Sequence, residues 1–233
     1  VALLGGIVKL GETYTAMSEH PEWLALLRPI IPVYPHSARP LDLFELLHPE
    51  IWVLPVTREG RIWHVAGLYN WGENENLVTS EDLPDAPRMK TLEWASMGYA
   101  SDDELLLFDA WEHTCEWAKG PSWSVEIPQR SDRILVVRPV PQEPEVVHTT
   151  RHLMGGAVEV RDEVFVEGEV AALGFQIDSP AGYELTVYIA GAGMDAQEIM
   201  MPLDATLQPG PCDGIWAVTF TPTEDVTSVQ VQF

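Results

Sequence analysis

The sequence predicts a mainly β protein, with two antiparallel β-sandwich domains after a short N-terminal strand–helix segment. Three observations predict it. Short apolar runs recur at close spacing between turn signals, as in antiparallel sandwiches. One early stretch, Trp23–Ile31, instead carries its apolar residues at helical spacing. A proline-rich run, Arg138-Pro139-Val140-Pro141-Gln142-Glu143-Pro144-Glu145, then divides the strand-rich chain in two.

In order, Val1–Leu10 reads as a buried strand, with Leu3, Leu4, Ile7 and Val8 around Gly5-Gly6. Ser18 is a candidate cap for a helix starting near Pro21, and Pro29 and Pro32 stop that helix. Strands are expected at Ile51–Val56, Arg61–Trp71, Asn76–Ser80, Glu104–Ala110, His113–Ala118, Ser122–Ile127 and Asp132–Arg138. Glu59-Gly60 suits a hairpin turn and Lys119-Gly120-Pro121 a second turn. Asp82–Arg88 reads as a loop, and Leu92–Gly98 as a helical turn or irregular connection. The second block offers Ala157–Val160, Val164–Glu169, Ala172–Ile177, Tyr183–Ile189, Glu198–Met201, Gly214–Phe220 and Ser228–Phe233. Tyr183, Leu185, Val187 and Ile189 alternate onto one face. The expected domains are therefore 1–45 (strand–helix and connector), 46–138 (sandwich), 139–150 (linker) and 151–233 (small immunoglobulin-like sandwich).

Charge excludes several functions. The chain of 233 residues carries 36 acidic and 13 basic side chains, a formal net charge of −23. Only Arg151 and Arg161 are basic after Arg138. Such a surface repels phosphate backbones and anionic lipids, so neither nucleic acid nor membrane is an expected partner. No apolar run approaches the ~20 residues of a membrane helix, and no leader pattern is legible at the start. A soluble protein is expected, cytoplasmic or secreted. The chain begins at Val1 rather than methionine, which leaves the true start open. Cys115 and Cys212 are expected as two small buried side chains.

A series of short motifs runs in one order. It comprises Gly5-Gly6-Ile7-Val8-Lys9-Leu10-Gly11-Glu12, Leu27-Arg28-Pro29-Ile30-Ile31-Pro32 and Ala38-Arg39-Pro40-Leu41-Asp42-Leu43-Phe44-Glu45. Pro49-Glu50-Ile51-Trp52, Val65-Ala66-Gly67-Leu68-Tyr69-Asn70-Trp71, Leu106-Leu107-Phe108-Asp109-Ala110-Trp111 and His152-Leu153-Met154-Gly155-Gly156 follow. The series resembles the C-terminal part of α-galactosidase and raffinose-synthase-like glycoside hydrolases. That resemblance implies a catalytic (β/α)8 barrel whose carboxylates lie on strands before Val1. It leaves this chain the last barrel strand, its helix and the trailing β domains. No catalytic residue is then expected here.

The residues themselves agree with that expectation. Retaining glycoside hydrolysis needs two carboxyl groups about 5–5.5 Å apart. Asp102-Asp103-Glu104 is the densest acidic run, but it precedes a strand as a charged loop would. His113 with Cys115 lacks a second pair at zinc spacing. Asp195, Asp204 and Asp213 lack EF-hand spacing. His148 and His152 read as structural. No nucleophile elbow, phosphate loop or dinucleotide fingerprint is present. No metal or cofactor is expected.

Aromatic residues give the better signal. Eight of nine tryptophans precede residue 124. A flat ring face can stack on the apolar face of a sugar, so Trp71 with Asn70 and Glu73 is the candidate sugar contact, with core packing as the competing role. Glu12 joins them, since barrel active sites gather beyond the strand it follows. Arg39, Asp42 and Trp23 are expected at a domain interface, holding the connector and helix in place. The expected function is the non-catalytic C-terminal portion of a carbohydrate-active glycoside hydrolase, buttressing the barrel and its sugar site and inactive alone. Its partners are a catalytic barrel, in the same or a companion polypeptide, and carbohydrate. The alternative is a free-standing carbohydrate-binding or cell-surface adhesion module.

Overall fold

The computed structural model describes Leu3 and residues 14–72, 86–202 and 204–233. The expected first strand, Leu3 excepted, therefore lies outside the described residues. So do Glu12, Glu73, the Asn76–Ser80 strand and most of the Asp82–Arg88 loop. The chain is mainly β, with antiparallel sheets throughout. Two compact units divide it: Tyr34–Pro139 with Leu3, and 14–33 with Val140–Phe233.

The first unit contains β1 (Arg39–Pro40), β2 (Ile51–Arg58), β3 (Arg61–Asn70), β4 (Arg88–Glu93), β5 (Glu104–Asp109), β6 (Cys115–Lys119), β7 (Ser122–Ile127) and β8 (Ser131–Pro139). Six of them form one sheet in the order β1-β2-β3-β8-β5-β6, and β4 pairs with β7. Glu59 and Gly60 have φ of 49° and 83°, which closes the β2–β3 hairpin as the sequence suggests. Val53, Ala66, Leu68, Leu105, Leu107, Leu135 and Val137 from the large sheet meet Leu92 and Ile127 from the small one. The helical turn Trp94–Met97 adds Trp94 and Met97 to this core. Strand β4 is not legible in the sequence, because Met89 is exposed and Lys90 buried, the reverse of the apolar-in pattern.

The second unit is a sandwich of two four-stranded sheets. Its strands are β9 (Glu145–Thr149), β10 (Val160–Val166), β11 (Ala172–Asp178), β12 (Leu185–Ala190), β13 (Glu198–Met201), β14 (Thr206–Pro209), β15 (Ile215–Phe220) and β16 (Val226–Gln232). The orders are β10-β11-β16-β13 and β14-β15-β12-β9. Leu185, Val187 and Ile189 point inward to Leu173, Phe175, Ile177, Val218, Val229 and Val231. Tyr183 does not join them. It precedes the strand, is exposed, and has the Arg28 guanidinium 3.9 Å over its ring.

Two expected boundaries shift. Residues 145–149 fall in the expected 139–150 linker, yet they form a buried strand pairing with β12. The prolines that mark a linker end at Pro144, so the following backbone is free to join a ladder. The expected 1–45 segment is also divided. Residues 14–33 belong to the second unit, whereas the connector from Tyr34 onward belongs to the first. This segment forms α1 (Tyr14–Glu19), α2 (Pro21–Leu27) and a 3-10 turn, Arg28–Ile30. Ser18 lies inside α1 and donates to the Thr15 carbonyl, so His20 occupies the cap position instead. No residue of α2 is buried. Docking comes from carbonyls freed around Pro29 and Pro32. Pro29 O accepts from Leu153 N at 3.0 Å, and Pro32 O accepts from His152 Nε2 at 2.7 Å. Arg151 Nη1 donates to Arg28 O at 2.8 Å and Ile31 O at 3.0 Å. Neither Cys115 nor Cys212 is a free thiol, contrary to the expectation of two buried cysteines.

Candidate functional site

Strand β3 places Trp63, Val65, Gly67 and Tyr69 on one face by simple alternation, and Trp71 follows in the same register. Trp63 is fully buried, with the Arg138 guanidinium 4.1 Å from its ring centre. At the other end Trp71 is 47% exposed. Its indole lies on the Tyr69 ring, with centroids 4.7 Å apart and planes 3° from parallel. Its Nε1 donates to the Pro49 carbonyl at 3.1 Å. Trp52 Nε1 donates to the same oxygen at 3.0 Å. One indole face is thus covered by Tyr69 and the N–H edge is engaged.

Gly67 makes room for this stack. A Cβ there would meet Leu3 Cδ1 at 2.4 Å, Tyr69 Cε2 at 2.9 Å and Tyr69 Oη at 3.0 Å. The Tyr69 ring therefore folds back across the glycine. Burial raises the Tyr69 phenol to about 12, and the charge of Asp132 adds to the rise. Asp132 stands directly across the β3–β8 ladder from Tyr69. The indole of Trp111 hydrogen-bonds the Asp132 side chain.

A polar knot fixes the base of the platform. Glu50 is 1% exposed and pairs with Arg88 Nη1 at 2.8 Å and with Lys90 Nζ. Its N–H donates to Asp42 Oδ2 at 2.9 Å, and its carbonyl accepts from Tyr69 N at 2.7 Å. Arg88 Nη2 reaches the Gly72 carbonyl at 2.9 Å. Residues 49–52 and 69–72 are thereby tied together on both sides of the tryptophans.

The expected site residues separate. Trp71 stands on the surface as a sugar contact would. Asn70 does not, and this corrects the expectation. It is 1% exposed, its Nδ2 donates to Ala86 O and Ile127 O at 3.0 Å each, and its Oδ1 accepts from Gly72 N at 3.1 Å. Alternation along β3 turns Asn70 inward when Trp71 turns outward. Asn70→Ala is expected to cost about 2–4 kcal/mol by leaving buried groups unpaired, read as a lower denaturant midpoint. Glu12 and Glu73 lie outside the described residues.

Arg39 Nη2 donates to the Ser96 carbonyl, and Asp42 is buried, braced against Glu50 N and Ile51 N. Both side chains make these bonds inside the first unit. Trp23 is 37% exposed and stacks on His20 with ring centres 4.2 Å apart. Trp52, Tyr69, Trp111 and Asp132 are absent from the sequence-derived site. The registers of β3 against β2 and β8, and of β5 against β8, assemble them, and a strand's own pattern does not carry those registers. Among the described residues no three His, Cys, Asp or Glu side chains form a metal-binding group. None of their helices is long and apolar enough to cross a membrane.

No family model and no curated protein sequence matches the chain. A solved structure similar to it is a glycoside hydrolase, the isomalto-dextranase of Arthrobacter globiformis T6 complexed with panose. The two share 14% identity at a TM-score of 0.40, over 99% of this chain and 43% of that one. The chain thus spans less than half the length of that enzyme, and no residue role is carried across at this likeness.

Proposed function

We propose that this chain is the non-catalytic C-terminal portion of a carbohydrate-active glycoside hydrolase. In this reading its β units buttress a catalytic barrel, and the Trp71 plate forms part of the rim that meets sugar. The carrying observation is the Trp71–Tyr69 stack, held in place by Pro49 and with Trp71 still 47% exposed. A rigid ring loses little conformational freedom when a sugar lands on it, which is why aromatic side chains serve as preorganised contacts. The ordered motifs from Gly5 to Gly156 supply the family resemblance. An oxidising compartment fits a chain without free thiols, so export from the cytoplasm belongs to the same proposal.

The test is activity with and without a barrel. The purified chain is expected to leave aryl α-galactosides and other aryl glycosides uncleaved. Turnover by the chain alone, abolished by changing one of its own carboxylates, would overturn the reading. The gene upstream of the Val1 codon is expected to encode about 300 or more residues of alternating βα pattern, in the same frame or as a neighbouring polypeptide.

A further inference from the structure

Resting on the sugar-contacting role of Trp71, we propose that Asp132 is the hydroxyl-binding partner of the aromatic plate, and that the site takes a neutral hexose unit of an oligosaccharide. Tyr69 and Asp132 are directly paired across β3 and β8, so their side chains leave the same face of the sheet. Directly opposed Cβ atoms stand about 5 Å apart, which sets the carboxylate beside the Tyr69–Trp71 stack at about the width of a pyranose ring. Such a ring can cover the exposed indole while its hydroxyls reach across to the carboxylate.

The chemistry of the carboxylate selects the ligand. Asp132 is exposed, and the Trp111 indole holds its carboxylate in place. An ionised carboxylate only accepts hydrogen bonds, so the ligand must bring donors. Sugar hydroxyls supply them in adjacent pairs, which match the two carboxylate oxygens. Partial burial of the carboxyl and the nearby Asp109 charge raise its pKa from the ordinary carboxylate value. Phosphorylated and sulfated sugars are disfavoured by this carboxylate and by a chain of net charge −23. Sequence pattern alone could not find this residue, because Asp132 opens a strand where charged residues are ordinary.

Calorimetric titration with a neutral α-galactosyl trisaccharide and an α-glucosyl one, each also in fully O-methylated form, tests the proposal. O-methylation keeps the ring faces and removes every donor. The chain is expected to bind at least one free sugar about tenfold more tightly than its methylated form. Asp132→Asn is expected to weaken the free sugar about tenfold and to abolish that preference, with unchanged near-UV circular dichroism. Trp71→Ala is expected to abolish binding of both forms. If Trp71→Ala abolishes binding but Asp132→Asn leaves the preference intact, the role of Asp132 is overturned and the plate stands. If no sugar binds, or an arginine-rich peptide binds where sugars do not, plate and partner are both overturned.

Discussion

Glu50→Gln is expected to be among the most destabilising single changes in the first unit, at about 3–5 kcal/mol. Glu50 and Lys90 are buried, and Arg88 is nearly so, with side-chain exposures of 1%, 8% and 18%. The carboxylate is the common partner of both cations. An amide of the same size keeps the packing and removes the charge. Arg88 and Lys90 are then left as two like charges held close together and screened from water. Replacing a whole buried ion cluster by apolar groups can be neutral, but breaking it by removing one partner is costly. The double variant Glu50→Gln with Lys90→Met is therefore expected to recover a large part of the loss. Denaturant midpoints of wild type, the single variants and the double variant check this. Additive losses would show that Glu50 and Lys90 are not coupled.

Acidification from pH 7 towards pH 4 is expected to remove stability through one buried and one half-buried histidine. His152 is 1% exposed, and its hydrogen bonds define its state. Nε2 donates to Pro32 O at 2.7 Å, so Nδ1 is the unprotonated nitrogen that accepts from Met154 N at 3.3 Å. Burial, aided by Arg151, holds this imidazole down to about 4 from its usual 6.5. His64 is likewise held to about 4, by burial and then by Arg39, with Tyr99 Oη 2.9 Å from its Nδ1. The unfolded chain protonates these groups near 6.5, before the folded chain does. The folded state therefore loses stability as pH falls from 6.5 to about 4, and the loss stops growing below that.

At ~1.4 kcal/mol per unit, His152 accounts for about 3 kcal/mol of this loss. His64 is only half-buried, so water screens it and no more than about 1 kcal/mol is expected from it. Relief of repulsion in an acidic chain acts in the opposite direction. The discriminating measurement is therefore the difference between wild type and His152→Gln at pH 7 and pH 5. The variant keeps a donor towards Pro32 and cannot titrate. A pH slope equal in both proteins would exclude His152 as a source of acid sensitivity.

Much of the fold is legible in local pattern. The Ile51–Val56 and Arg61–Trp71 runs, with Glu59-Gly60 between them, specify a hairpin because β-branched and apolar residues flank a pair that tolerates positive φ. Leu185, Val187 and Ile189 specify an inward face. Strand β4 is hidden because its buried partner for Glu50 is a lysine, a residue that normally reads as exposed. The docking of 28–32 is hidden because it uses backbone carbonyls rather than the apolar stripe of α2.

The candidate site shows the same division within a few residues. By itself the sequence determined that Trp63 and Trp71 fall on one face of a strand and that the surface is too acidic for phosphate ligands, although the same alternation turns Asn70 away from Trp71 and the expected site overlooked it. Alternation and charge are local or additive properties, and they survive without knowledge of any partner strand. Only the tertiary structure decided that Trp63 lies buried under Arg138 while Trp71 stands open on Tyr69. It also decided that Asp132, more than sixty residues further along, comes level with that stack. Those outcomes depend on the register of β3 against β8 and on what covers each end of the sheet. Long-range pairing sets both, and no strand carries that information in its own periodicity.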